Sequence, residues 1–169
     1  MDRIPSLPPL PPPARAVLLG FVTGLRSQVP VALLAIESQR GRFDPGVGRL
    51  ARRFGSSEGV AGSLIGFAGE LVADKLPITP ARTTPGPFLQ RLVTGGTVGA
   101  AVQYDAGRAR PLGIVLGAAG AGAGAWAGTR ARAFLAERTR LPEPLIGAVE
   151  DLFAVGLAYA VVTAGRDTR

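Results

Sequence analysis

Apolar residues gather in five stretches, separated by connections that carry proline, arginine and glycine. The pattern predicts helices at roughly 16–36, 59–77, 91–104, 111–130 and 144–164. Residues 111–129 carry no charge over 19 positions. At about 1.5 Å per residue they match the ~30 Å hydrocarbon core of a bilayer. The same stretch holds Gly113, Gly117, Gly120, Gly122, Gly124 and Gly128. In water each Gly costs about 1 kcal/mol relative to Ala, on the order of 6 kcal/mol in all. In lipid an unpaired backbone group costs several kcal/mol, so the segment is driven to be helical there.

The first stretch carries Arg26 at its centre. A central Arg costs roughly 3 kcal/mol on insertion scales, and the eleven large aliphatic and Phe residues around it return about 5 kcal/mol. The expected fold is therefore an all-α, polytopic membrane bundle of about five Gly/Ala-rich segments. Segments two, three and five are short enough to be re-entrant. Residues 1–14 read as a proline-rich flexible tail in polyproline II, 15–165 as a single transmembrane domain, and 166–169 as a polar tail. No cleavable leader is expected, because Arg26 interrupts the only candidate apolar region.

Composition sharpens this picture. Apolar residues make up 47% of the 169 positions but aromatics only 6%, and there are 24 Gly. Small residues suit helices whose backbones approach closely in lipid. The chain has no Cys and no His. This excludes disulfides, the usual ligands of zinc, haem and iron–sulfur centres, and any Ser-His-Asp or Cys-His catalytic centre. No cofactor, metal or catalytic residue is expected.

Net charge is +7, with Lys75 the only lysine. The arginines lie between apolar segments, with no dense stripe and no interleaved aromatics. That favours anionic headgroups of a bilayer over nucleic acid as the partner. Five crossings divide the basic loop residues nine against nine, so the positive-inside rule gives no orientation.

Small-xxx-small pairs occur at Gly20/Gly24, Gly62/Gly66, Gly95/Gly99 and Gly120/Gly124/Gly128. They predict a tight bundle, with self-association of the bundle left open. Gly62, Gly66, Glu70 and Asp74 form one i+4 row, and Arg91, Gly95, Gly99 and Gln103 form another. The segments meet at one end, so Glu70 and Asp74 are expected near Arg91. Lys75, Arg82 and Thr83 lie in a connection stiffened by Pro77, Pro80, Pro85 and Pro87. Glu150 and Asp151 enter from the same end on segment five, and Arg26 is delivered roughly 15 Å deep. Ionisable groups at that depth mark a substrate or ion path, or paired groups inside a bundle. The plainer reading is pairing at headgroup level near helix ends. Gly24-Leu25-Arg26-Ser27 also echoes Gly128-Thr129-Arg130-Ala131.

These residues resemble the bacterial membrane-protein family called domain of unknown function 4126. The matching stretches are Gly24-Leu25-Arg26-Ser27 with Pro30, and Glu70 through Pro77 with Pro80, Arg82, Thr83 and Arg91. The Gly-rich fourth segment and Glu150-Asp151 also match, so the resemblance covers residues 17–162. It implies a multipass protein of the cell membrane and carries over no catalytic residue. Four functions follow: a small transporter- or channel-like bundle with an intramembrane Arg/acid cluster, a non-catalytic scaffold whose charges only pair helices, a lipid-modifying enzyme, or a soluble basic helical protein. The first is the expectation. The enzyme reading lacks a sufficient ligand set, since two carboxylates on one helix are too few.

Overall fold

The computed structural model describes residues 10–73, 83–139 and 142–164. Every regular element among them is a helix: α1 (Pro12–Leu25), α2 (Val29–Gln39), α3 (Arg49–Phe54), α4 (Ser57–Ala73), α5 (Pro85–Asp105), α6 (Arg110–Arg138) and α7 (Glu143–Ala164). Of the prolines expected to stiffen the connection before Arg91, Pro85 and Pro87 instead start a helix, while Pro77 and Pro80 lie outside the described residues. Pro sits in the first turn of α1, α2, α5 and α6, where its missing N–H has no intrahelical partner to lose. For this reason α1 begins at Pro12 and α5 at Pro85, earlier than the apolar pattern alone predicts.

The stretch expected as one helix over 16–36 is two. α1 stops at Leu25, Arg26 is extended (φ −138°, ψ 104°), and α2 starts at Val29. The cause is Pro30. In a continuous helix it would leave the Arg26 carbonyl without its i+4 donor and press its ring against that carbonyl. The matching position in the downstream echo, Phe134, is not proline, and α6 runs straight through Gly128–Ala131.

The two halves form an antiparallel hairpin. Gln39 Nε2 at the end of α2 donates to Ser57 Oγ at the start of α4, at 3.1 Å. The Asp44 backbone N–H donates to Asp105 Oδ1 at the end of α5, at 2.8 Å. The opposite part of α5, at Arg91, lies beside the end of α1. α2 therefore returns to the end of the molecule from which α1 set out. That proximal end also holds the starts of α4 and α6 and the C-termini of α5 and α7. The distal end holds the hairpin tip, the C-termini of α4 and α6, and the starts of α5 and α7.

At the centre α1, α5 and α6 pack against one another. A Cβ built at Gly20 would fall on the Gly117 carbonyl, and one at Gly24 on the Ala121 carbonyl. Likewise, a Cβ at Gly120 would meet the Val17 carbonyl and one at Gly124 the Phe21 carbonyl. Toward α5, Gly99 and Gly113 each oppose the other's carbonyl, and Gly95 and Gly117 are similarly placed, so Gly117 meets both neighbours. Any side chain would push these backbones apart. Gly128 is buried at the same face of α6.

On α4 the row expected to pack is displaced. Nothing lies within 4 Å of a Cβ at Gly62, and Gly66 meets only the Gln28 side chain. The packing face of α4 is instead Gly59, Ser63, Gly66 and Glu70, because α4 is an outer helix that touches α2 and the short α3.

Large apolar side chains are exposed on every long helix: Leu64 and Ile65 on α4, Val93 on α5, Val115 and Trp126 on α6, Leu152 and Phe153 on α7. Two helices, α6 and α7, are long and apolar enough to cross a membrane.

Gly99→Leu and Gly117→Leu drive a side chain into opposing backbone, where overpacking costs about 1–3 kcal/mol or more. Both are expected to lower the thermal unfolding midpoint sharply. Gly62→Leu should stay within about 0.5 kcal/mol of the parent, as surface changes do. Thermal unfolding of the three variants side by side checks the assignment.

Candidate functional site at the hairpin tip

A helix broken inside a protein exposes two sets of unpaired backbone groups, carbonyls at the end of the first half and N–H groups at the start of the second. The sequence places opposite charges against both. Arg91 Nη1 donates to the carbonyls of Thr23, Gly24 and Leu25 at 3.3, 3.2 and 3.5 Å. The Glu70 carboxylate accepts from the backbone N–H groups of Ser27 and Gln28 at 2.9 and 3.0 Å. A cation at a helix C-terminus and an anion at an N-terminus both complement the backbone dipole.

The two charges also meet each other. Arg91 Nη2 stands 3.2 Å from Glu70 Oε1, with only 5% and 10% of the two side chains exposed. The Glu70–Arg91 ion pair thus closes the break from both sides.

Two further pairs extend the cluster. Arg26, in the break itself, bonds through Nε to Asp151 Oδ1 on α7. Arg132 Nη2 on α6 lies 3.1 Å from Glu150 Oε2, an ion pair without hydrogen-bond alignment. Glu70 on α4, Arg91 on α5 and Asp151 on α7 hold the tip, and Arg132 on α6 joins the cluster through Glu150 on α7. Beside it, a cavity of about 250 Å³ opens between α1, α6 and α7. Its walls are apolar (Phe21, Leu25, Ile146, Phe153), with Arg132 and Glu150 at one side.

Of the residues singled out from sequence, Arg26, Glu70, Arg91, Glu150 and Asp151 come together here. Thr83 is exposed in the turn before α5 and joins none of these pairs. Asp74, Lys75 and Arg82 lie outside the described residues. No group of three metal-ligating side chains occurs among the described residues.

Sequence reasoning overlooked Arg132 and the backbone N–H groups of Ser27 and Gln28. For Arg132 a signal existed, since it continues the i+4 row Gly120, Gly124, Gly128 just as Glu70 continues Gly62 and Gly66. The N–H groups become donors only because the helix breaks. Glu37 was also missed. It is buried near the end of α2 and paired with Arg40 at 3.3 Å and Arg42 at 3.9 Å. It staples the start of the connection that follows. Gln103 ends the Arg91 row, fully buried at the crossing of α5 and α6, with no hydrogen-bond partner for its amide among the described residues.

No family model, curated protein or solved structure matches the chain. The resemblance to domain of unknown function 4126 rests on the residues quoted for it.

Glu70→Ala removes the carboxylate that holds both the Arg91 guanidinium and the tip N–H groups, and loss of one member of a buried ion pair costs up to about 3–5 kcal/mol. It should unfold the protein at markedly lower denaturant than the parent. Glu70→Gln keeps an oxygen acceptor for the tip N–H groups and should lose less. Denaturant midpoints of the two variants test whether the carboxylate closes the break.

Proposed function

We propose that the chain is a polytopic integral membrane protein of the transporter or channel type. α4 to α7 cross the bilayer, and α1 with α2 enters it as a re-entrant hairpin from the proximal end. The hairpin tip and its charged cluster lie on the path of a small solute or ion. Two observations support the membrane setting. In the most apolar windows of α6 and α7 only 39% and 28% of residues are buried, whereas the core helix of a soluble protein buries most of such a window. α1 and α2, at 14 and 11 residues, span only about 21 and 16 Å, too short to cross separately.

The broken helix carries the functional reading. Non-helical backbone at membrane depth is tolerated only where protein buries it or it lines a polar cavity. Half-helix ends aimed at a charged site are the device by which transporters hold ions and anionic groups. The cavity beside Arg132 and Glu150 supplies space next to that site. The resemblance to a multipass membrane family agrees with this setting.

One observation favours a scaffold instead: Arg26, Arg91 and Arg132 each have a carboxylate partner. Charges that serve only to pair helices are interchangeable as pairs, and charges on a path are not. The Arg26→Asp, Asp151→Arg double variant therefore separates the two readings. In proteoliposomes loaded with a panel of small ions and carboxylates, the parent is expected to conduct at least one. Arg26→Ala should reduce that flux about tenfold or more, and the swapped pair should regain stability but not flux. Full recovery of flux by the swapped pair assigns the charges to scaffolding.

The topology is tested separately. Carbonate should leave the protein in the membrane fraction and detergent should release it. A cysteine placed by Pro11→Cys should label from the same side as one placed by Ala109→Cys. Labelling from opposite sides means that the first segment crosses.

A further inference from the structure

The hairpin changes which charges share an end of the molecule. At the proximal end Arg40, Arg42, Arg49, Arg52, Arg53, Arg108 and Arg110 are all exposed. Among the described residues at the distal end, only Arg130 and Arg138 are exposed, and by sequence the connections there also carry Lys75, Arg82 and Arg140. Arg132 is partly buried on Glu150, and Arg91 is buried on Glu70. Arg15 also belongs to the proximal end, where a crossing first segment would have put it with Arg130 and Arg138. Among the described residues four carboxylates stand against these arginines: Glu37, paired with Arg40 and Arg42, Glu58, which lies 3.7 Å from Arg53, and Asp44 and Asp105, so arginines remain in excess. Orientation in a membrane follows Lys and Arg in short loops near the spans, while acidic residues contribute little.

On the membrane reading above, we propose that the proximal end is the cytoplasmic face. Its arginine surface, carried by the connection from α2 to α4 and by the turn from α5 to α6, rests on the anionic headgroups of the inner leaflet. Three features fit that partner. The arginines stand at the ends of helices whose flanks expose large apolar side chains, which is the height of a headgroup layer. They lie in two separate connections at the same end rather than in one tail. The connection from α2 to α4 is also ordered against the bundle, by buried Phe43 and by the bond from Asp44 to Asp105. It therefore presents its charge as a fixed surface. The hairpin then opens to the cytoplasm, and its tip points toward the outer half of the bilayer.

The chain has no cysteine of its own, so single cysteines report without background. Val47→Cys and Ala109→Cys mark the proximal end, and Thr83→Cys and Ala136→Cys the distal end. All four positions are exposed. In intact bacterial cells expressing the full chain, a membrane-impermeant maleimide should label positions 83 and 136. Positions 47 and 109 should label only after permeabilisation. The reversed pattern overturns the orientation while leaving the membrane reading standing. Equal labelling of all four in a soluble fraction removes both.

The headgroup contact has its own arm. Arg49→Gln, Arg52→Gln and Arg53→Gln combined in the Val47→Cys chain should raise the outside-labelled fraction severalfold. The same triple change should lower the amount of anionic phosphatidylglycerol, relative to neutral phosphatidylcholine, that stays bound to the detergent-purified protein. No change in either measurement overturns the assignment of these arginines to the inner leaflet.

Discussion

The structure turns on one buried ion pair, Glu70 with Arg91, placed where a helix has come apart. Pro30 opens the chain between Leu25 and Val29 and leaves carbonyls and N–H groups without helical partners. Arg91 takes the carbonyls and Glu70 takes the N–H groups, and each also neutralises the other. A buried pair is not in itself a strong source of stability, because desolvation offsets the attraction. Here its value is specific: each ion does hydrogen-bonding work that an apolar replacement cannot do. The tip can be non-helical because this pair is present.

The glycine crossings make that position reachable. α6 lets α1 and α5 approach side by side, both against Gly117 and Ala121, until backbones touch. That brings Arg91 on α5 within reach of the end of α1. Larger side chains at Gly20, Gly24, Gly95 or Gly99 would move the guanidinium away from its carbonyls. Packing and electrostatics are thus coupled through small residues, since van der Waals contact between helices depends steeply on distance. The second pair, Arg26 with Asp151, ties the tip to α7, and Arg132 with Glu150 ties α7 to α6. Together they lock an otherwise irregular loop from three directions.

The hairpin also shapes the charge distribution. A first segment that crossed would put the buried Arg15 at the distal end, whereas one that turns back leaves it at the proximal end beside the exposed arginines. The same chemistry is absent at Gly128–Ala131, where the echoed tetrapeptide lies inside an uninterrupted α6 because no proline follows it.

The all-helical class, the Gly-rich central helix and the approach of Glu70 to Arg91 were legible in the sequence, because helical periodicity and i+4 spacing are local properties. So was the face of α1 that packs through Gly20 and Gly24. The hairpin was not. Pro30 announces a break but not its angle, and the angle depends on which helices receive the freed backbone groups. Nor was the true packing face of α4 legible, since Gly62 and Gly59 carry similar local signals and only the position of α2 chooses between them. The pairing of Arg26 with Asp151, across 125 residues, and the role of Arg132 likewise required the folded bundle. Local spacing determines which side chains share a face. Only tertiary packing decides what that face meets, because burial and ion pairing are relations between helices far apart in the chain.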